Sequence, residues 1–228
     1  MSTLDEMREA VINGDPQGVE GFVRNALEEG VSADVILNLA MISAMDEVGE
    51  LFEQGTLFIP EMLIAARAMQ AGMRILQPLL AESGIAPLGR IAIGTVKGDL
   101  HDIGKNLVGM MLEGAGFEVV DLGVDVEAKR FIRAVQEGVN LIGLSALLTT
   151  TMTSMETVIL KLEEAGLREH TKVMVGGAPV TLKFAESIGA DGYAPDASQA
   201  VKVAKGLFER DLPPIVALDS TTKCNSEE

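Results

Sequence analysis

The sequence contains one cysteine, two histidines and no tryptophan in 228 residues. The single cysteine, Cys224, lies in the polar segment TTKCNSEE, so an internal disulfide and a cysteine metal cluster are both excluded. Histidine is also too scarce for an ordinary zinc site, which takes three or four protein ligands. The sequence has no apolar run of about 20 residues, as a membrane span needs, and no signal-peptide pattern. We therefore expect a cytoplasmic protein that is not bound to a membrane.

Basic residues are few relative to acidic ones. There are 18 Lys and Arg against 34 Asp and Glu, which gives a net charge of −16. A chain of this charge repels a phosphate backbone, because nucleic-acid binding depends on basic side chains that displace counterions. We expect no nucleic-acid partner.

The N-terminal part shows helical periodicity and no strand-like alternation. The spacing of its apolar residues predicts an all-α four-helix bundle, with helices over 4–12, 16–29, 33–53 and 60–80. The small, Pro- and Gly-containing stretch SGIAPLG then interrupts the periodicity. These changes predict a division into a helical cap domain (1–85), a linker (86–89), a second domain (90–212) and a flexible tail (213–228).

In the second domain, short apolar runs alternate with helical patterns. Strands are predicted over 90–96, 117–123, 140–146, 172–177 and 191–195. Helices are predicted over 102–115, 127–137, 152–165, 179–188 and 196–210. This alternation predicts an α/β doubly wound, flavodoxin- or Rossmann-like fold with a five-stranded parallel sheet.

Three unusual stretches follow predicted strands, at the edge where open parallel sheets bind ligands. They are GDLHDIG after the first strand, SALLTTT after the third and GGAP after the fourth. Within the first stretch, His101 can act as the only protein ligand of a metal that brings its own equatorial macrocycle. Asp99, two residues earlier, can then accept the other ring N–H and fix the tautomer of His101.

Each of these features also has an ordinary structural explanation. A single histidine in a loop is usually a surface residue, and a Gly pair usually forms a tight turn. Ser145 and the threonines that follow it can equally serve as helix N-caps.

Taken together, the D-x-H-x-x-G, S-x-L and Gly-Gly stretches resemble the cobalamin-binding domain of methionine synthase and of corrinoid methyl-carrier proteins. The helical part also resembles the cap of that family, in EVGELF (47–52) and FIPEML (58–63). The resemblance implies that the chain binds cobalamin, as methylcobalamin or cob(I)alamin, and that His101 is the lower ligand of the cobalt. The cofactor's own dimethylbenzimidazole base would be displaced into a channel between the sheet and its helices.

The resemblance also implies a set of residues around the cofactor. In the α/β domain these are Asp99, Asp102, Ile103, Gly104, Ser145, Leu147, Thr149, Thr151, Gly176 and Gly177. Thr151 stands where methionine synthase has a serine that joins the His–Asp pair, which leaves open whether the three-residue relay is kept. In the cap, Met69 and Met73 lie on one face of the last helix, where they are either part of the lid over the corrin or plain core.

The function that the resemblance implies is methyl transport, because the chain has no pattern for activating a methyl donor by itself. A substrate:corrinoid methyltransferase would load it, a corrinoid:tetrahydrofolate or similar methyltransferase would unload it, and a reductive activator would restore Co(I). Three other functions stay open: a subunit of an adenosylcobalamin-dependent mutase, a cobalamin-sensing regulator, and a flavodoxin-like signalling domain without a corrin.

Overall fold

The computed structural model describes residues 2–209, and its first part is entirely helical. The helical domain comprises α1 (Thr3–Ile12), α2 (Pro16–Glu28), α3 (Ala33–Ile36), a π-helical segment (Leu37–Ile42), α4 (Ser43–Glu53) and α5 (Ile59–Glu82). None of the helices between residues 2 and 209 has the length and apolar content needed to cross a bilayer.

The starts of these helices follow from local capping chemistry. Asp15 accepts hydrogen bonds from the backbone N–H groups of Gln17 and Gly18 at 3.2 and 3.0 Å, and Pro16 occupies the first turn of α2. The helix predicted over 33–53 is continuous but contains a π-helical turn. A single π-helical turn shifts the spacing of the apolar residues only slightly, so the helical periodicity of the sequence does not reveal the π-helix.

The second part alternates strands and helices as predicted. It comprises β1 (Arg90–Thr95), α6 (Ile103–Gly114), β2 (Glu118–Asp121), α7 (Ala128–Gln136), β3 (Leu141–Ser145), α8 (Thr153–Glu164), β4 (Lys172–Gly176), α9 (Leu182–Ser187), β5 (Gly192–Ala194) and α10 (Ala197–Glu209). All four strand pairs are parallel and the sheet order is β2-β1-β3-β4-β5. The predicted fold class is therefore confirmed.

Helix α9 begins later than the sequence pattern predicts. Val180 donates its backbone N–H to the carbonyl of Gly177 at 2.9 Å, so the chain turns before the helix starts. Thr181 is the N-cap and accepts from the backbone N–H of Phe184 at 3.2 Å. Pro179 and Val180 thus belong to the turn after β4.

Two apolar cores lie on the two faces of the sheet. One is formed mainly by residues of α7, α8 and α9 against the sheet. The other is continuous with the helical domain, because Met45, Met62 and Met69 belong to the same buried cluster as Leu112 of α6 and Ala204 of α10. The predicted flexible tail (213–228) and Cys224 lie outside the described residues.

The register of the sheet places the last residues of β1, β3, β4 and β5 side by side in one row. Thr95 pairs with Ser145, Ser145 with Gly176, and Gly176 with Ala194. Because alternate residues of a strand face opposite sides, this row shares one face of the sheet, the face that α6 and α10 cover. Ser145, Gly176 and Ala194 of this row line the cavity described next.

Candidate functional site

A cavity of about 550 Å³ lies at the carboxyl edge of the sheet, between α6, α10 and the helical domain. Its walls come from the loop after β1, the first turns of α6, the loop after β3, the turn after β4 and the start of α10. The helical domain contributes Phe52 and Ile59. Most of the lining is apolar, as expected of a site for a large organic ligand.

His101 lies in the wall of this cavity, and its ring is held by Asp99. The Nδ1 atom is 2.7 Å from Asp99 Oδ1, and the backbone N–H of His101 donates to the same oxygen at 3.1 Å. The His101 side chain is 51% exposed, whereas that of Asp99 is fully buried. The carboxylate is thus part of the protein interior and orients an imidazole that faces open space.

The second oxygen of Asp99 is bound by the loop after β3. Oδ2 accepts from the backbone N–H groups of Leu147 and Leu148 at 2.8 and 3.2 Å and from the hydroxyl of Thr151 at 2.7 Å. Two loops that are far apart in sequence are therefore joined through one carboxylate. Leu148 takes part through its backbone alone, so no side-chain pattern could have predicted its role.

The protonation states in this cluster follow from its contacts. Burial by itself raises the pKa of Asp99, but hydrogen bonds from His101, the backbone of Leu147 and Thr151 outweigh it and hold the pKa well below its usual range. Because an ionised carboxylate can only accept, Nδ1 of His101 is the donor, and in the neutral imidazole the lone pair is on Nε2. No hydrogen bond among residues 2–209 engages Nε2. The imidazole can therefore bind a metal through Nε2.

The hydroxyl of Thr151 reaches Asp99, so the relay that the sequence left open is complete in this structure. Thr151 is buried, and its methyl group lies beside Gly98, 3.5 Å from where a Cβ would stand. Gly98 also has a φ of +86°, which a side chain would strain. The additional methyl of Thr151 therefore fits beside Gly98 without a steric clash.

Two residues that the sequence analysis did not identify hold the His101 loop in place. The buried Thr95 donates its hydroxyl to the carbonyl oxygen of His101 at 2.7 Å. Asp125 accepts from the backbone N–H of Gly98 at 2.7 Å and has a φ of +52°. A non-glycine residue with positive φ is uncommon, and its backbone conformation is not visible in a sequence.

The glycines after β4 allow a very close approach of two backbone segments. A Cβ on Gly177, whose φ is +128°, would lie 1.9 Å from the carbonyl oxygen of Ala146. A Cβ on Gly176 would lie 2.8 Å from the carbonyl oxygen of Ala194. Both glycines line the cavity, so the tight turn and the ligand site are the same feature.

The structure brings most of the predicted residues together. Those that line the cavity are His101, Asp102, Ile103, Gly104, Ser145, Leu147, Gly176 and Gly177. Asp99 and Thr151 stand behind His101 and support it. Thr149 is exposed and does not line the cavity.

The two methionines of the cap domain are placed elsewhere. Met69 is buried in the core of the helical domain, and the half-buried Met73 packs against that core. Neither lines the cavity, whose residues from this domain are Phe52 and Ile59. A helical stripe shows that residues share a face, but not what that face contacts.

Comparison with known protein families gives two matches, each described as a B12 binding domain. One covers residues 89–202 and the other covers residues 3–77. Together they include every residue that lines the cavity.

Similar proteins align along nearly the whole chain. A corrinoid protein of Desulfitobacterium hafniense strain Y51 is 41% identical over 91% of this chain and 98% of its own length. Dimethylamine corrinoid protein 1 of Methanosarcina mazei is 47% identical over 90% of this chain and 95% of its own.

Solved structures of similar fold include two cobalamin proteins. A cobalamin-binding protein from D. hafniense DCB-2 has a TM-score of 0.75 and 34% identity, covering 89% of this chain and 97% of its own. The methanol:cobalamin methyltransferase complex MtaBC from Methanosarcina barkeri has a TM-score of 0.81 and 29% identity, covering 93% of this chain and 81% of that one.

Proposed function

Because the chain belongs to the family of B12-binding corrinoid proteins of methyltransferase systems, we propose that it carries a methyl group on cobalamin between two methyltransferases. The first is specific for the methyl donor, and the second passes the methyl to tetrahydrofolate or a similar acceptor. The observation that carries the proposal is the His101 imidazole, held at Nδ1 by a buried carboxylate and presenting Nε2 to the cavity.

The described residues fit a corrinoid on three grounds. The cavity is largely apolar, His101 provides one nitrogen ligand, and Gly104 leaves open space because a Cβ there would meet no atom within 4 Å. A corrin ring supplies most of the ligands of its own metal, so a single protein nitrogen, that of His101, would be enough. When bound, the cofactor supplies a cobalt centre that takes a methyl group from a donor and gives it to an acceptor.

In this proposal the protein's main chemical task is to hold a proton and a lone pair on opposite sides of one imidazole. Asp99 accepts from Nδ1, which leaves Nε2 as the nitrogen that would bind the cobalt and would raise its basicity. Thr151 and the backbone of Leu147 keep Asp99 ionised throughout.

The remaining cavity residues are proposed to bind the nucleotide tail and cover the reactive side. Ser145, Gly176 and Gly177 stand at the carboxyl edge, where the channel between the sheet and its covering helices opens. Phe52 and Ile59 extend over the cavity from the helical domain and would limit the access of water.

The proposed partners follow from what the similar proteins are. One is a dimethylamine corrinoid protein, and another lies in a methanol methyltransferase complex, so each works with its own substrate enzyme. We propose such an enzyme, an acceptor methyltransferase and a reductive activator that would return oxidised cobalt to the Co(I) state. The loading enzyme would determine the methyl donor.

Reconstitution followed by methyl transfer tests the proposal. The purified chain, loaded with hydroxocobalamin and reduced, should become methylated only when a matching substrate methyltransferase and its donor are added. The change is followed by the absorption spectrum. An acceptor methyltransferase with tetrahydrofolate should then reverse it and yield methyltetrahydrofolate. A chain that stays colourless contradicts corrinoid binding, and a coloured chain that responds only to adenosylcobalamin with a mutase partner contradicts methyl transport.

A further inference from the structure

The cavity continues below the carboxyl edge along a second row of residues. Ile93 pairs with Gly143, and Gly143 pairs with Met174. This row lies two residues before Thr95, Ser145 and Gly176 on the same strands, hence on the same face and about 7 Å deeper. All three of its members line the cavity.

Gly143 creates the width of this deep part. A Cβ at Gly143 would stand 3.0 Å from Cγ2 of Ile93, so a side chain here would press against Ile93 and take up part of the cavity. The opposite walls are helical: Leu107 and Val108 come from α6, whereas α10 contributes two alanines, Ala197 and Ala200. We call this deep part of the cavity, between the sheet and these two helices, the slot.

The slot offers no hydrogen-bond partner within the described residues. The strands on either side pair with their neighbours, so the backbone groups of its floor are already used. The polar side chains that line the cavity are those of His101, Asp102, Lys105, Ser145 and Asp196.

None of these polar side chains belongs to the deeper row, and His101 and Asp102 lie in the loop after β1, at the carboxyl edge of the sheet. Lys105 is occupied by Asp121, whose carboxylate oxygens both lie 2.6 Å from Nζ. Ser145 stands in the upper row, and Asp196 caps α10 by accepting from the backbone N–H of Gln199 at 2.8 Å. A ring that fills the slot therefore meets Ser145 at its outer edge and only carbon and sulfur at its inner edge.

We propose that this slot selects corrinoids by their lower base, favouring a benzimidazole over adenine, a selectivity that rests on the proposed corrinoid function. The inner edge of dimethylbenzimidazole is purely hydrocarbon, so it gives up no hydrogen bond to water when it enters an apolar site. Adenine carries an exocyclic amine and additional ring nitrogens, which give up hydrogen bonds to water and find no replacement. Met174, at the floor, is the residue that sets this preference.

Measuring the affinity of the unloaded full-length chain for three corrinoids tests the inference. They are cobalamin, the same corrinoid with adenine as its lower base, and cobinamide, which has no nucleotide. The spectral change on binding gives each dissociation constant. Cobalamin should bind about tenfold or more tightly than the adenine corrinoid. Adenine is the weaker base and leaves cobalt more readily, so a preference for cobalamin must come from the slot rather than from release of the base.

Two variants locate the selectivity. Met174→Gln places an amide of similar shape at the floor and should narrow the ratio between the two affinities at least about threefold, since adenine gains a partner. Met110→Gln makes the same change on α6 outside the cavity and should leave the ratio unchanged.

The outcomes are distinct. Equal affinities in the unmodified chain, or tighter binding of the adenine corrinoid, overturn the inference. If Met174→Gln folds and keeps the original ratio, the assignment to Met174 is wrong. If Met174→Gln does not fold, the comparison of the unmodified chain still decides whether the slot is selective. Failure to bind any of the three corrinoids contradicts the proposed function instead.

Discussion

The hydroxyl of Thr151 lies 2.7 Å from Oδ2 of Asp99, although the two residues are 52 positions apart in the sequence. The contact completes a chain of hydrogen bonds from Thr151 through Asp99 to the His101 ring. A threonine thus supplies the contact that a serine makes in methionine synthase, and its additional methyl fits beside Gly98.

Substitutions of Thr151 should separate its hydroxyl from its methyl. Thr151→Val keeps the shape but removes one donor from a buried, ionised carboxylate, which should lower the free energy of unfolding by about 1–3 kcal/mol. Thr151→Ser keeps the hydroxyl donor and should lower the free energy of unfolding clearly less than Thr151→Val does. Urea unfolding of both variants measures the difference. Equal losses would show that Asp99 does not depend on this hydroxyl.

Replacing His101 should weaken cofactor binding, and it should also lower the free energy of unfolding, because the half-exposed ring donates to the buried Asp99. His101→Ala should bind cobalamin more loosely and lose the absorption spectrum of histidine-ligated cobalt. The other histidine, His170, is exposed on the turn before β4, so His170→Ala is the matched control and should keep both properties. An unchanged spectrum and affinity in His101→Ala would remove His101 from the proposed role.

Substitution by alanine should change the stability of the protein in opposite directions at two glycines of the cavity. At Gly177 the new Cβ would collide with the carbonyl oxygen of Ala146, so Gly177→Ala should lower the melting temperature sharply or prevent folding. At Gly104, in the first turn of α6, a Cβ meets nothing, and the helix should gain about 0.5–1 kcal/mol. Gly104→Ala should nevertheless bind cobalamin more weakly, because the methyl occupies the cavity. Thermal unfolding and a cobalamin titration distinguish the two, and wild-type binding by a folded Gly104→Ala protein would contradict the proposed site.

Glu53 should make the contact between the helical domain and α10 sensitive to acid. Its carboxylate accepts from Lys202 at 2.6 Å, Ser198 at 2.9 Å and Gln199 at 2.8 Å. The hydrogen bond from Lys202, followed by those from the other two residues, lowers the pKa of Glu53 below its ordinary value of 4.5. The stabilisation is therefore fully present above that ordinary value and is lost as the pH falls through the lowered one.

Glu53→Gln is expected to lower the free energy of unfolding by about 1 kcal/mol at neutral pH, with the deficit shrinking as the pH is lowered past 4.5. Denaturant unfolding at several pH values provides the test. Glu50→Gln removes an exposed carboxylate of the same helix and should show no such trend. A deficit in Glu53→Gln that is independent of pH would mean that the charge of Glu53 is not what stabilises the contact.

Local chemistry allowed much of this molecule to be predicted. Helices and strands followed from the spacing of apolar residues, and the five-stranded parallel sheet followed from their alternation, because strands separated by helices pair in parallel through crossover connections. The pairing of Asp99 with His101 was also predictable, since a side chain two residues away in an extended loop reaches its neighbour directly.

What surrounds that pair was decided by the tertiary structure. Periodicity showed that Met69 belongs to a buried face, but only packing placed it in a core shared with the sheet and left Phe52 and Ile59 over the cavity. The contact of Asp99 with the backbone of Leu148 likewise depends on where two distant loops meet. A sequence determines the local conformation and the face that each element buries, whereas the partner of that face depends on how all the elements pack together.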